Sequence, residues 1–443
     1  MLRRPGGRGQ GPRARPTGDR AAAGRRLRQD RDRTRAPLPG RWEVRVRVRP
    51  RVLVALVALA SAVAQAFGRF SFAILLPSIN ADLLGSYAVA GLVGTVNVAA
   101  YLLGTLLVSA VAARVAPATL IRAGLAASTA GLVLAASAGG AGPLAAGLGL
   151  TGLGGALIWV PAPGLAGSVV RPSRRGAAIG VAGSGIGLGI VVASALAAAL
   201  HPVGGDASWR TVYLVEAGIA GVTLALCLAF LRPAPGRDDA APARPRALRR
   251  VPGWVGLAGG YAAYGLAYSV YTTYLVSALE DDAGFSDRHA AAVYTLVGVA
   301  LVFGGLLLGP LSDRWGRGRA LVVGYLGMAA AIAAVLLGAE PFAALSALLF
   351  GLTMSGLPAV IAAHLSDSLT PREFAGAFGR CTLAFGVAQL CGPPLGGFLA
   401  ESAGTFLPAF ALAAGVALAG AALSVPVVRS AAGRGEPVAG ARR

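Results

Sequence analysis

Residues 309–319 read Gly309-Pro310-Leu311-Ser312-Asp313-Arg314-Trp315-Gly316-Arg317-Gly318-Arg319. This charged island stands between two apolar runs, 290–311 before it and 320–338 after it. Each run is close to the ~20 apolar residues a helix needs to cross a hydrocarbon core of roughly 30 Å. The pattern repeats outward along the chain. Twelve segments pass the same test: 52–79, 87–111, 119–138, 142–169, 177–200, 210–231, 253–279, 290–311, 320–338, 342–364, 375–400 and 405–428. Hydrocarbon offers a peptide group no partner, so such segments must be helices that bond internally. Composition agrees: 55% of the chain is hydrophobic and 13% charged, about half the charged fraction of a soluble domain.

The charges that remain sort themselves by side. Arg supplies all 40 basic residues, and 17 of them fall within the first 51 positions. Arg114, the 171–175 loop, the 232–252 connection, the 314–319 island, Arg372 and both tails share one side of the span array. The opposite loops carry Asp82, Asp206, Glu280, Asp281, Asp282, Asp287, Glu340 and Glu401, with Arg210 and Arg288 the only arginines. Basic loops stay in the cytoplasm, which makes both termini cytoplasmic in a multi-pass protein of the cell membrane, inner or plasma. The Pro-, Ala- and Arg-rich stretch 232–252 divides the spans six and six and reads as a linker. An offset of 200 superposes Gly104, Leu106, Leu107 and Arg114 on Gly304, Leu306, Leu307 and Arg314. The expected organisation is therefore a disordered Arg-rich tail over 1–51, helical bundles over 52–231 and 253–429, and a second tail over 430–443. Repeated bundles of this kind place a solute near the midplane between them.

Arg69 falls 10 residues before the end of the first span, about 15 Å deep at 1.5 Å per residue. A mid-membrane arginine costs about 2.5 kcal/mol or more unless it has a partner or a wet cavity. Ser61, Gln65 and Arg69 step by four, which puts a polar stripe on one face of an α-helix. Read functionally, Gln65 and Arg69 hold an anionic group such as a carboxylate; the alternative is an internal ion pair with Glu216 of the sixth span. Glu216 is the one acid well inside a span, which makes it the candidate for proton coupling, with the same ion pair as its alternative. In the seventh span Tyr261, Tyr264, Tyr268 and Tyr271 are spaced three, four and three and gather in one sector.

The 309–319 island resembles the loop motif of the major facilitator superfamily, G-x-L-[SA]-D-R-x-G-R-[RK]. It carries Gly309, Asp313, Arg314, Gly316, Arg317 and Arg319, between the eighth and ninth spans, where a second copy is expected. Within the superfamily the chain is similar to the YbfB-like branch. The likeness rests on Gly68-Arg69-Phe70 and Leu75-Leu76-Pro77 in the first span, and on Gly351-Leu352 and Pro358-Ala359 in the tenth. In the eleventh it rests on Phe378-Gly379, Phe385-Gly386, Gln389 and Gly392-Pro393. The resemblance implies an all-α membrane protein of twelve transmembrane helices in two pseudo-symmetric six-helix bundles. It also implies a central cavity lined by spans one, four, seven and ten, which makes Trp159, Tyr268, Tyr271, Thr353 and Ser355 wall residues. The motif is then a cytoplasmic gate, with Asp313 facing the start of span five. The first-half copy departs from it: Ala113 stands at the place of Asp313 and Ala116 at that of Gly316.

The function expected is secondary transport of a small organic solute, an organic anion if Arg69 is its anchor, by alternating access. Two alternatives stand beside it. One is an exporter of amphipathic or drug-like compounds, which an aromatic cavity also suits. The other is a non-transporting membrane sensor or scaffold that uses the Arg-rich tail. The partners expected are a small-molecule solute and the lipid bilayer, with proton coupling through Glu216, in a monomer that binds no nucleic acid, metal or cofactor. No nucleotide loop or hydrolase motif is present, so an enzyme is not expected.

Overall fold

The computed structural model describes residues 50–111, 114–171, 175–231, 247–369 and 371–432, with backbone alone at 175–177, 247, 371–376 and 429–432. Most of the expected tails and of the linker, and Ala113, lie outside the described residues. Twelve long helices account for nearly all of the rest. They are α1 (Pro50–Leu84), α2 (Tyr87–Val111), α3 (Pro117–Ala136), α4 (Ala141–Ser168), α5 (Arg175–Gly204) and α6 (Trp209–Phe230). The second half holds α7 (Trp254–Ser277), α8 (Asp287–Trp315), α9 (Arg317–Val335), α10 (Phe342–Ser368), α11 (Pro371–Ala403) and α12 (Leu407–Ala432).

Length and apolarity alone single out ten stretches able to cross a membrane. One of them, Ala178–Phe230, contains both α5 and α6, joined by a 3-10 turn over Gly205–Ser208. The helix left out is α7, whose tyrosines lower its hydropathy although its 24 residues are long enough to span. Helix ends follow local chemistry. Pro117 opens α3 at a position where its missing N–H costs nothing, and the Ser286 hydroxyl accepts from His289 N at 3.3 Å to cap α8. Between α8 and α9 the backbone turns through Gly316 at φ +86°, a conformation glycine adopts freely, which explains that glycine of the motif.

Packing repeats with a period of six helices. Helix α4 lies against α2 and α3, as α10 lies against α8 and α9; α3 pairs with α6 as α9 pairs with α12; α1 meets α5 as α7 meets α11. The two bundles meet along α2 with α11, α5 with α8, and α1 with α7. At the α5–α8 crossing the backbones nearly touch: a Cβ on Gly187 would sit 2.4 Å from the Gly298 carbonyl oxygen. Small residues at such a crossing let helices approach closely in lipid.

Candidate functional site

Helix α1 does not keep α-helical period throughout. Residues Ala62–Phe70 form a π-helical segment, with wider turns than the step of four assumed for Ser61, Gln65 and Arg69. Ser61 accordingly turns back on its own helix, donating to Val57 O at 2.9 Å. Asn97 of α2 reaches the Gly68 carbonyl in this segment: its Nδ2 donates to Gly68 O at 3.0 Å, Leu148 O at 2.7 Å and Thr151 Oγ1 at 3.0 Å. One amide thus ties α1, α2 and α4 together beside Arg69, and its three acceptors fix which way the amide points.

Arg69 projects across the seam toward the second bundle. Gln389 of α11, with its carbonyl oxygen turned to the guanidinium, accepts from both terminal nitrogens, Nη1 at 3.3 Å. The guanidinium carbon lies 5.4 Å from the centre of the Tyr268 ring on α7. Such contacts orient a cation without neutralising it. Among the described residues no carboxylate lies within 4.0 Å of Arg69. Gln65 is buried on the same helix.

Beside Arg69 lies a void of about 30 Å³ whose walls include Phe72, Asn97, Ser269, Thr272 and Pro393. It has room for a water or two. The two bundles pack closely around this void. Thr272 donates its hydroxyl proton to Tyr268 O at 2.8 Å and Ser269 donates to Leu266 O at 3.0 Å, which leaves both oxygens as acceptors.

The other residues expected at the site are distributed more widely. Tyr268 joins the group through Arg69. Tyr271 does not: its ring stacks on Phe350 at 3.7 Å and its hydroxyl pairs with Ser346 Oγ at 2.8 Å, inside the second bundle. Ser355 donates to Leu301 O at 2.6 Å and accepts from Gly305 N at 3.1 Å, which ties α10 to α8. Thr353 bonds its own helix at Phe350 O and is buried. Trp159 is half-buried against the apolar core at the break in α4. Glu216 is fully buried, but its partner is the Ser71 hydroxyl, which donates to Oε1. Among the described residues its Oε2 and the neighbouring Tyr213 hydroxyl have no hydrogen-bond partner. The alternative, an ion pair between Arg69 and Glu216, is not formed: Ser71, which holds Glu216, and Arg69 are two residues apart and leave α1 on different faces.

The two ends of the molecule differ. On the acid-rich face the bundles are tied directly: Tyr87 donates to Asp281 Oδ2 at 2.5 Å, Ser86 to Glu401 Oε2 at 2.5 Å, and Ala88 N to the same oxygen at 2.9 Å. On the arginine-rich face the motif organises its own bundle. Arg317 bridges Asp313 at 2.5 Å and Asp367 at 2.8 Å, joining the ends of α8, α9 and α10. Asp313 is 61% exposed, and Arg314 and Arg319 are exposed too. The side chains at the start of α5, where Asp313 was expected to dock, lie outside the described residues.

Known proteins resemble the chain in sequence and in shape. Residues 61–425 match the family described as "Uncharacterised MFS-type transporter YbfB". Monocarboxylate transporter 12-B of Danio rerio is 29% identical over 381 residues, covering 74% of this chain and 76% of the relative. A chloramphenicol efflux pump of Mycobacterium tuberculosis (strain CDC 1551 / Oshkosh) is 32% identical over 301 residues, 63% of this chain and 70% of the relative. Among solved structures, an inward-facing, unoccupied bacterial homologue of the human lysosomal transporter Spinster superposes with a TM-score of 0.67 at 19% identity, over 87% of this chain and 96% of the other. The nucleoside transporter NupG superposes with a TM-score of 0.69 at 13% identity, over 84% and 99%. These last two speak to the fold alone. The match over 365 of the 443 residues (61 to 425) places the chain in the major facilitator superfamily, as a membrane transporter of the YbfB-type family.

Proposed function

We propose that this transporter carries a small organic anion by alternating access, with Arg69 as the anchor for the anionic group. The observation that carries this reading is a cation at the seam between the bundles, held by Gln389 and Tyr268 and left without a carboxylate partner among the described residues. An uncompensated charge at that depth is expensive, and a bound anion repays the cost in the low-dielectric interior. Closure on the acid-rich face, with the gate motif bonded inside one bundle on the other, supports rocking of units 52–231 and 253–429 about the Gly187–Gly298 crossing. The 29%-identical relative named a monocarboxylate transporter is in keeping with an anionic solute.

In this reading Glu216 carries the coupled proton, since it is buried with one hydroxyl donor and one oxygen free. In the same reading the arginine-rich face and both termini lie in the cytoplasm, which the distribution of basic loops supports, and the transporter works as a monomer in the cell membrane. A second reading is favoured by the stacked rings of Tyr261, Tyr264, Tyr268 and Phe385, which suit an amphipathic, drug-like ligand. Purified protein in proteoliposomes separates the two. Uptake of propionate, with neutral propionamide and the cation choline not transported, supports the anion reading. Transport of neutral aromatic compounds in preference to propionate overturns it.

A further inference from the structure

The last arginine of the gate motif, Arg319, has no part in the transport reading, and it borders a groove on the outside of the second bundle. Helix α9 begins where α12 ends, and the two backbones nearly touch there: a Cβ on Gly318 would lie 2.6 Å from Val428 N. Beside this contact lies an open groove of about 670 Å³, lined by Trp315, Arg319, Val322, Val323, Val425 and Val428. Arg319, Val322 and Val323 are three and four residues apart on α9, and Val425 and Val428 are three apart on α12, so each helix contributes one face. Trp315 and Val323 are each 48% exposed. Both helices pack within the second bundle rather than at the seam with the first. The groove therefore opens to lipid and not to the solute path.

Charge sits at one end of this groove only. Arg317 is neutralised by Asp313 and Asp367. Among the described residues Arg319 has no ion pair or hydrogen bond, and neither has Arg314, one residue before Trp315. Arg319 also lies in the first turn of α9, where the helix dipole is positive and adds to its charge. Trp315 stands at the same end, and an amphipathic ring of this kind is most stable at headgroup level. An apolar channel walled by four valines thus leads up to an uncompensated cation at the membrane surface.

We propose that the groove between α9 and α12 binds an anionic phospholipid, with an acyl chain along the four valines and the headgroup phosphate on Arg319, whichever solute the protein carries. Both parts of that ligand are needed to match both parts of the site. The chain covers exposed apolar surface, and the phosphate accepts charge-assisted hydrogen bonds from the guanidinium. A zwitterionic headgroup carries its own ammonium beside the phosphate and gains less from Arg319. One arginine at a membrane surface favours an anionic lipid by about fivefold. In the orientation proposed above, the groove opens to the cytoplasmic leaflet, whose surface is negative.

Brominated acyl chains quench tryptophan on contact, and Trp315 lies in the groove to report them. The full-length protein is placed in nanodiscs of phosphatidylcholine with a minor share of phosphatidylglycerol, the bromine carried either on the phosphatidylglycerol or on an equal amount of the phosphatidylcholine. Trp315 is one of five tryptophans, so its signal is the difference between each protein and its Trp315→Phe counterpart. Phosphatidylglycerol should associate about fivefold more tightly than phosphatidylcholine in the wild type. Arg319→Gln, a change at an exposed position, should bring that ratio close to one, while Arg319→Lys should keep most of it. Val425→Phe should reduce quenching by brominated phosphatidylglycerol, because it fills the groove and leaves the cation in place. Excess sn-glycerol 3-phosphate should displace nothing, since it lacks the chain. A wild-type ratio near one, or Arg319→Gln at the wild-type ratio, overturns the site. A preference untouched by Val425→Phe would assign it to surface charge alone and overturn the groove, and displacement by sn-glycerol 3-phosphate would overturn a lipid as its occupant.

Discussion

Asn97 offers the sharpest test of how the site is held. Its amide makes three contacts, to Gly68 O, Leu148 O and Thr151 Oγ1, with two hydrogens to share. Asn97→Leu keeps the volume and removes both donors. Side-chain hydrogen bonds inside membrane proteins are worth about 0.6 kcal/mol on average and up to about 1.7 kcal/mol, so two bonds predict a loss of about 1 to 3 kcal/mol. Unfolding in SDS and detergent mixed micelles measures it. Part of the loss should be shared with Thr151, which also donates to Leu148 O at 2.7 Å. The double variant with Thr151→Val should therefore cost about 1 kcal/mol less than the sum of the singles. Because Gly68 precedes Arg69 in the π-helical segment, propionate affinity should fall along with stability. A loss below about 0.5 kcal/mol, or strict additivity with Thr151→Val, would refute the idea that Asn97 anchors this segment.

Further outcomes follow from the same geometry. Glu216→Gln keeps a side chain able to bond Ser71 and removes the titrating group, so the fold should persist. Propionate uptake driven by a pH gradient should be lost while propionate exchange continues, and gradient-driven uptake at the wild-type rate would exclude Glu216 from coupling. Gly187→Leu places a side chain where a Cβ alone would lie 2.4 Å from Gly298 O. It should stop net transport by prying the α5–α8 crossing apart, which transport assays and spin-label distances between the two bundles would both register. Asp313→Asn breaks an exposed pair with Arg317, worth about 0.5 kcal/mol or less. Stability should therefore be unaffected, and any rise in labelling of the arginine-rich side would reflect the gate.

What could be read from the residues depended on how local the signal was. All twelve helices were visible because a span is a contiguous apolar run, and α7 shows the limit of hydropathy alone: length and flanking loops identify it where its tyrosines make the run less apolar. Arg69 stood out because charge in an apolar run is conspicuous. Its partner did not, since which acid or amide faces it depends on packing, and the helix brings Gln389 and Tyr268 rather than Glu216 to that side. Asn97 was missed, although a lone amide in the apolar run of α2 was the available signal. Tyr271, Thr353 and Ser355 shared helices with the expected cavity yet face their own bundle. Helical spacing reports a sector, and the direction of that sector is decided only when neighbouring helices dock.

If Arg69 anchors an anion between the bundles, the purified protein binds propionate at equilibrium and that side chain sets the affinity. Wild type should bind, Arg69→Lys should retain binding at reduced affinity, and Arg69→Gln should lose at least tenfold in affinity, about 1.4 kcal/mol, while remaining folded in the membrane. If Arg69→Gln bound propionate as tightly as wild type, Arg69 would not be the anchor.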